Sequence, residues 1–115
     1  MLKYLDSTYP TKGGVMITET GLTIFDAFTM PSDQQKIDIQ QSAYFQSLLR
    51  EVLKSLYEDR VRVAGTIGWS YVDNWEWGQY SSRYGVQSYD NKTLQRFYKR
   101  TIFDVTDFMT AHGGQ

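Results

Sequence analysis

The chain has 115 residues, of which 41% are hydrophobic, 22% charged and 16% aromatic, with a formal net charge of −1. That length bounds it to one domain at most, and the near-neutral charge excludes the basic field that recruits nucleic acid or an acidic membrane surface. There is no Cys, which excludes disulfides and thiolate metal sites, and no apolar run approaches the roughly 18 residues that span a bilayer.

Residues 2–8 read as the last turns of a helix, with Leu2 and Leu5 on one side, ending near Tyr9-Pro10. The N-terminus lacks a basic start followed by an apolar stretch, so it does not read as a signal peptide. Gly13-Gly14 punctuates, and Val15 to Thr18 predicts a short buried strand. Residues 21–31 are apolar without a period and predict a loop that is packed down. Ser32 followed by Gln35 predicts a capping box, opening a long helix to about Glu58. Its stripe is Phe45, Leu48, Leu49, Val52, Leu53 and Leu56, at three- and four-residue spacing. "VRVAGTIGW" predicts a second strand, followed by a polar, aromatic loop to Asp90. A last helix is predicted from Lys92 to Met109, with Leu94, Phe97, Tyr98, Ile102, Val105 and Phe108 as its stripe, and "AHGGQ" as a frayed tail. Asn91-Lys92-Thr93 matches the glycosylation sequon, a triplet common by chance, and the compartment is left open.

Strand, loop, helix, then strand, loop, helix argues for parallel strands covered by helices. Two parallel strands cannot bury themselves, so the chain is expected to be part of a larger α/β structure. Glu19 follows the first strand, at the end where α/β and barrel folds place their active sites. A Glu taken alone is more often a surface cap or loop acid. The second strand ends in "WSYVDNWEW", which places Trp69, Trp75, Glu76 and Trp77 on the same expected rim. Indole faces stack on a pyranose, and carboxylates and indole N–H groups take its hydroxyls. A packed aromatic cluster with an incidental acid accounts for those residues equally well. Asp73 and Asn74 are expected to tie the loop down through bonds to backbone.

"ITETG" resembles the I-T-E-N-G motif of glycoside hydrolase family 1, the β-glucosidase family. "WSYVDNWEWGQYSSRYG" resembles that family's W-S-L-x-D-N-F-E-W-x-x-G-Y-x-x-R-F-G, and "LQRFYKRTIFDV" is similar to its closing segment. The likeness covers nearly the whole chain as a single segment, 1–115. It implies an α/β fold forming part of a TIM (β/α)8 barrel, about the last two βα units, from an enzyme that hydrolyses β-glycosides with retention. It also implies residue roles: Glu19 as nucleophile, Trp69 as the platform beneath the sugar, Glu76 gripping its far hydroxyls and Trp77 donating to a neighbouring one. Tyr84 stands near the same pocket, where the family usually has Phe. Thr20 replaces the usual Asn, and "GQY" after Trp77 is one residue shorter than the family pattern.

A retaining glycosidase needs a second carboxylate as acid/base. The family carries it in a T-F-N-E-P motif on the fourth strand, and this chain contains none. A whole barrel takes about 250 residues. Glu76, Asp26 and Asp73 are possible substitutes, but none has a stated reason to transfer a proton, and His112 in the tail has no expected role. No metal-ligand spacing occurs and no cofactor is expected. Three readings follow. The first is a β-glucosidase fragment, inactive alone, that takes a β-glucoside once joined by the missing N-terminal barrel portion. The second is a non-catalytic remnant that binds a small saccharide, and the third a structural protein that self-associates.

Overall fold

The computed structural model describes residues 1–24 and 26–113; the expectations for Phe25 in the packed loop and for Gly114 and Gln115 in the tail lie outside the described residues. In chain order the elements are α1 (Leu2–Thr8), β1 (Val15–Thr20), α2 (Ser32–Lys36), α3 (Ile39–Tyr57), β2 (Val63–Gly68), β3 (Gln87–Tyr89), β4 (Arg96–Tyr98) and α4 (Arg100–His112). They fall into two compact units, Met1–Thr20 with Ser47–Gly68, and Gly21–Gln46 with Trp69 onward.

In the first unit β1 and β2 pair in parallel, from Val15 against Val63 to Thr20 against Gly68, with two register shifts in between. Both strands are rich in the β-branched side chains that suit a pleated surface. The entry to β1 requires glycine: Gly14 has φ 83°, and a Cβ there would run into the carbonyl of Arg62, which accepts the Val15 N–H at 2.7 Å. The Arg62 guanidinium in turn donates to the carbonyls of Thr11 and Lys12, closing the turn before the strand. Leu49 and Val52 from α3 and Val61 ahead of β2 are the buried apolar side chains of this unit.

β1 differs from the short buried strand that the sequence predicts. It runs on to Thr20, and Met16, Thr18 and Glu19 are exposed while Val15 and Ile17 are half-buried. Among the described residues each of these strands has only the other as its neighbour, so neither is enclosed.

The stripe predicted for α3 is observed: Phe45, Leu49 and Val52 are buried, and Leu48, Leu53 and Leu56 half-buried. The helix is not continuous, however: it opens at Ser32 as α2, and α3 begins only at Ile39. Pro31 is the N-cap of α2 and no side chain caps it, so the capping box does not form. Gln35 instead donates to the Met30 carbonyl at 2.6 Å, and its Oε1 lies 2.9 Å from Ser88 Oγ. The break between α2 and α3 falls at Ile37-Asp38 because Asp38 is drawn elsewhere. Its buried carboxylate accepts the N–H of Thr101 at 3.0 Å and the Thr101 hydroxyl at 2.6 Å, capping the first turn of α4.

The second unit carries a further correction. Residues 92–98 are not helical: β4 pairs antiparallel with β3, Ser88 against Phe97, and α4 begins only at Arg100. Asp90 decides this. Its carboxylate accepts the N–H groups of Lys92 and Thr93 at 2.7 and 2.9 Å, making a turn that holds Leu94 at φ 58° and exposed. Those two N–H bonds hold the Asp90 carboxyl below its ordinary pKa. The tail expected to fray is helical through His112, whose ring stacks on Phe108 at 4.4 Å. Among the described residues, Ile24, Ala27 and Phe45 are the buried apolar residues of this unit. No helix among the described residues is long and apolar enough to cross a membrane.

Candidate functional site

Glu19 lies near the end of β1, exposed, with buried Thr20 following it. The sequence placed it just beyond the strand; it is the strand's penultimate residue. The other four candidates lie in the second unit, on the segment that follows β2.

Trp69 and Glu76 are brought together directly. The indole Nε1–H donates to Glu76 Oε1 at 2.8 Å, with the carboxylate buried and the indole 39% exposed. A tight turn fixes Glu76: its N–H donates to the Gln79 carbonyl at 2.8 Å and its carbonyl accepts the Gln79 N–H at 3.0 Å. Between them Trp77 at φ 47° and Gly78 at φ 101° supply the two positive φ angles that such a two-residue turn needs. Trp77 is 99% exposed at the tip. Trp75 is exposed beside it and makes no part of the Trp69–Glu76 pair.

Tyr84 is half-buried on the returning limb, where its carbonyl accepts from Ser70 N–H at 3.2 Å and from Gln41 Nε2 at 2.6 Å. Gly21, the glycine of "ITETG", packs against the same place. A Cβ there would collide with the Trp69 carbonyl and come within 3.4 Å of the Tyr84 ring, so no other residue fits. The Trp69–Ser70 peptide bond is cis.

Beneath these residues lies a charged cluster that sequence reasoning missed. Asp73 Oδ1 accepts the Gly85 N–H at 2.8 Å and Lys99 Nζ at 3.2 Å, while Oδ2 accepts Ser88 Oγ and Arg83 Nη1, the latter at 3.5 Å. The side chains of Asp73, Arg83, Ser88 and Lys99 are all buried, Lys99 completely. Burial pushes the Lys99 ammonium below its ordinary pKa, against the pull of Asp73. Burial likewise raises the Asp38 carboxyl, opposed by its bonds from Thr101. Arg83 also faces the rings of Tyr89 and Phe28, at 5.4 and 5.6 Å. The expectation that Asp73 binds backbone is met by Gly85, but its charged partners stand 10 and 26 positions away, a pairing no local pattern shows. Among the described residues no three His, Cys, Asp or Glu side chains group as metal ligands would.

A buried carboxylate oriented by an indole, with a second indole bare beside it, is a geometry suited to polyhydroxylated ligands. The sequence model of glycosyl hydrolase family 1 matches residues 1–113. The chain belongs to glycosyl hydrolase family 1. β-Glucosidase 1B of Phanerodontia chrysosporium is 31% identical over 113 residues, covering 97% of this chain and 21% of that protein. β-Glucosidase 31 of Arabidopsis thaliana is 32% identical over 117 residues, again 21% of its own length. Among solved structures, the GH1 β-glucosidase of Humicola insolens in complex with glucose superposes with TM-score 0.86 at 27% identity, over 96% of this chain and 23% of that one. β-Glucosidase 2 of Trichoderma reesei reaches TM-score 0.91 at 24% identity over 99% of this chain and 25% of that one, a likeness of fold. This family 1 chain therefore spans about a fifth of the length of its curated relatives. Its fold is part of a (β/α)8 barrel, with β1 and β2 as parallel strands joined through α2 and α3.

Proposed function

We propose that this family 1 chain supplies the nucleophile and the sugar-binding residues of a retaining β-glucosidase, and that it is inactive until joined by the barrel portion bearing the acid/base carboxylate. The observation that carries this reading is the 2.8 Å bond from Trp69 Nε1–H to the buried Glu76. It leaves an indole face for the apolar side of a pyranose and holds in place a carboxylate of the kind that accepts from sugar hydroxyls. Trp77 adds an exposed indole N–H. The relatives support a saccharide ligand: one is solved with glucose, and a Thermotoga maritima β-glucosidase with deoxynojirimycin.

In this reading the Glu19 carboxylate attacks the anomeric carbon while the partner acid protonates the leaving oxygen, and the glycosidic C–O bond breaks. The same partner then deprotonates a water that attacks the glycosyl-enzyme, releasing Glu19 and the sugar with its configuration retained. Mixing the chain with the remaining barrel portion of a family 1 enzyme should give hydrolysis of an aryl-β-glucoside, and Glu19→Gln should return that mixture to background. Hydrolysis that survives the substitution contradicts the assignment.

A second reading, a saccharide-binding module without catalysis, is favoured by one fact. The Trp69–Glu76 pair forms wholly within one compact unit. Saturable glucose binding lost in Trp69→Ala, together with a mixture that never hydrolyses the glucoside, would select it.

A further inference from the structure

Asp73 lies four positions after Trp69 and three before Glu76, and its side chain is 1% exposed. Its carboxylate joins three stretches of chain. Gly85 and Arg83 belong to the returning limb of the loop, Ser88 to β3, and Lys99 is the N-cap of α4. The limbs meet so closely at this level that a Cβ on Gly85 would strike the backbone of Val72 and Asp73. Lys99 reinforces the junction with a second bond, from Nζ to the Arg83 carbonyl at 3.4 Å. Two buried cations on one carboxylate are a costly way to gain stability, because desolvation offsets most of the attraction and an apolar core would serve as well. What the charged cluster adds is direction, since each bond fixes an angle as well as a distance.

We propose that Asp73, clamped by Lys99 and Arg83, is the positioning residue that sets Trp69 against Glu76 for sugar binding. This rests on the reading of Trp69 and Glu76 as sugar-binding residues. The cluster acts through the backbone of residues 69–76 and touches no ligand itself. Releasing Asp73 lets the two ends of that segment shift relative to each other, and the indole bond to Glu76 breaks while the helices stay formed.

The test is the indole N–H of Trp69 in the full 115-residue chain labelled with nitrogen-15, assigned by its disappearance in Trp69→Phe and with Glu76→Ala as the reference for a broken pair. In Asp73→Asn the Trp69 indole proton should exchange with solvent about tenfold faster or more, the factor for losing a charge-assisted hydrogen bond. Backbone amides of α4 should lose protection only by the fall in global stability that urea unfolding of the same variant gives, the indole by more than that, and glucose affinity should fall in parallel. Ser88→Ala, which removes one neutral donor from the same carboxylate, should move the indole in the same direction by less, and decides the matter if Asp73→Asn does not fold. An unchanged Trp69 indole in a folded variant overturns the proposal. So does an indole that loosens only in step with the amides of α4, since that is loss of stability alone. A wild-type chain that holds the indole bond yet binds no glucose even when combined with the remaining barrel portion of a family 1 enzyme instead contradicts the sugar-binding reading and leaves the positioning result standing.

Discussion

Lys99 carries an ammonium that solvent does not reach, and its partner Asp73 is equally enclosed. Removing Lys99 leaves the Asp73 carboxylate buried with the more distant Arg83 beside it, so Lys99→Met should destabilise the chain by about 3 kcal/mol in urea unfolding, and should cost less in an Asp73→Asn background. Asp104 is a milder case. Its carboxylate accepts from Ser42 Oγ and from Arg100 Nε at 2.8 Å, and the Ser42 bond above all holds its pKa below the ordinary value. A carboxyl whose pKa is lower folded than unfolded adds stability that is complete above its unfolded pKa. That stability is lost as pH falls through the folded one. Ser42→Ala should therefore cost about 1 kcal/mol at neutral pH, and melting temperatures of the two proteins should converge on acidification below about pH 4. At this scale the sequence showed the polar and aromatic side chains of the 69–84 loop, because they stand together in one stretch. It did not show Lys99, Arg83 or the role of Asp38, whose partners are brought together only by the fold.

Among the elements, α3 was the most legible, because apolar residues at three- and four-residue spacing over many turns line up on one face only in a helix. Leu49 lies on that stripe and is buried, so Leu49→Ala should cost about 2–5 kcal/mol, measured by denaturant titration, whereas the same change at exposed Leu94 should cost far less. Leu94 itself shows why the final helix starts later than its spacing predicts. Leu94, Phe97, Tyr98 and Ile102 keep helical spacing, yet Phe97 and Tyr98 belong to β4 and only Ile102 to α4. The two bonds that Asp90 accepts from Lys92 and Thr93 outweigh the apolar period there. The capping box at the start of α2 failed for a related reason. Gln35 has the spacing of a capping box, but its amide is engaged by Met30 and Ser88.

For the molecule as a whole, parallel strands with helices between them pointed to part of a larger α/β structure, the resemblance to family 1 made that structure a barrel, and family 1 membership agrees. Exposed Met16 on β1 and Ile67 on β2 leave apolar surface on strands that barrel closure would cover. Trapping the glycosyl-enzyme tests Glu19 as the nucleophile most directly. The chain, combined with the remaining barrel portion of a family 1 enzyme, would be treated with a 2-deoxy-2-fluoro-β-glucoside bearing a good leaving group and digested for mass spectrometry. The result predicted is a fluoroglucosyl adduct on the peptide containing Ile17–Gly21, located on Glu19 and absent in Glu19→Gln. An adduct on another residue, or a mixture that turns over the glucoside with Glu19 unlabelled, would contradict it.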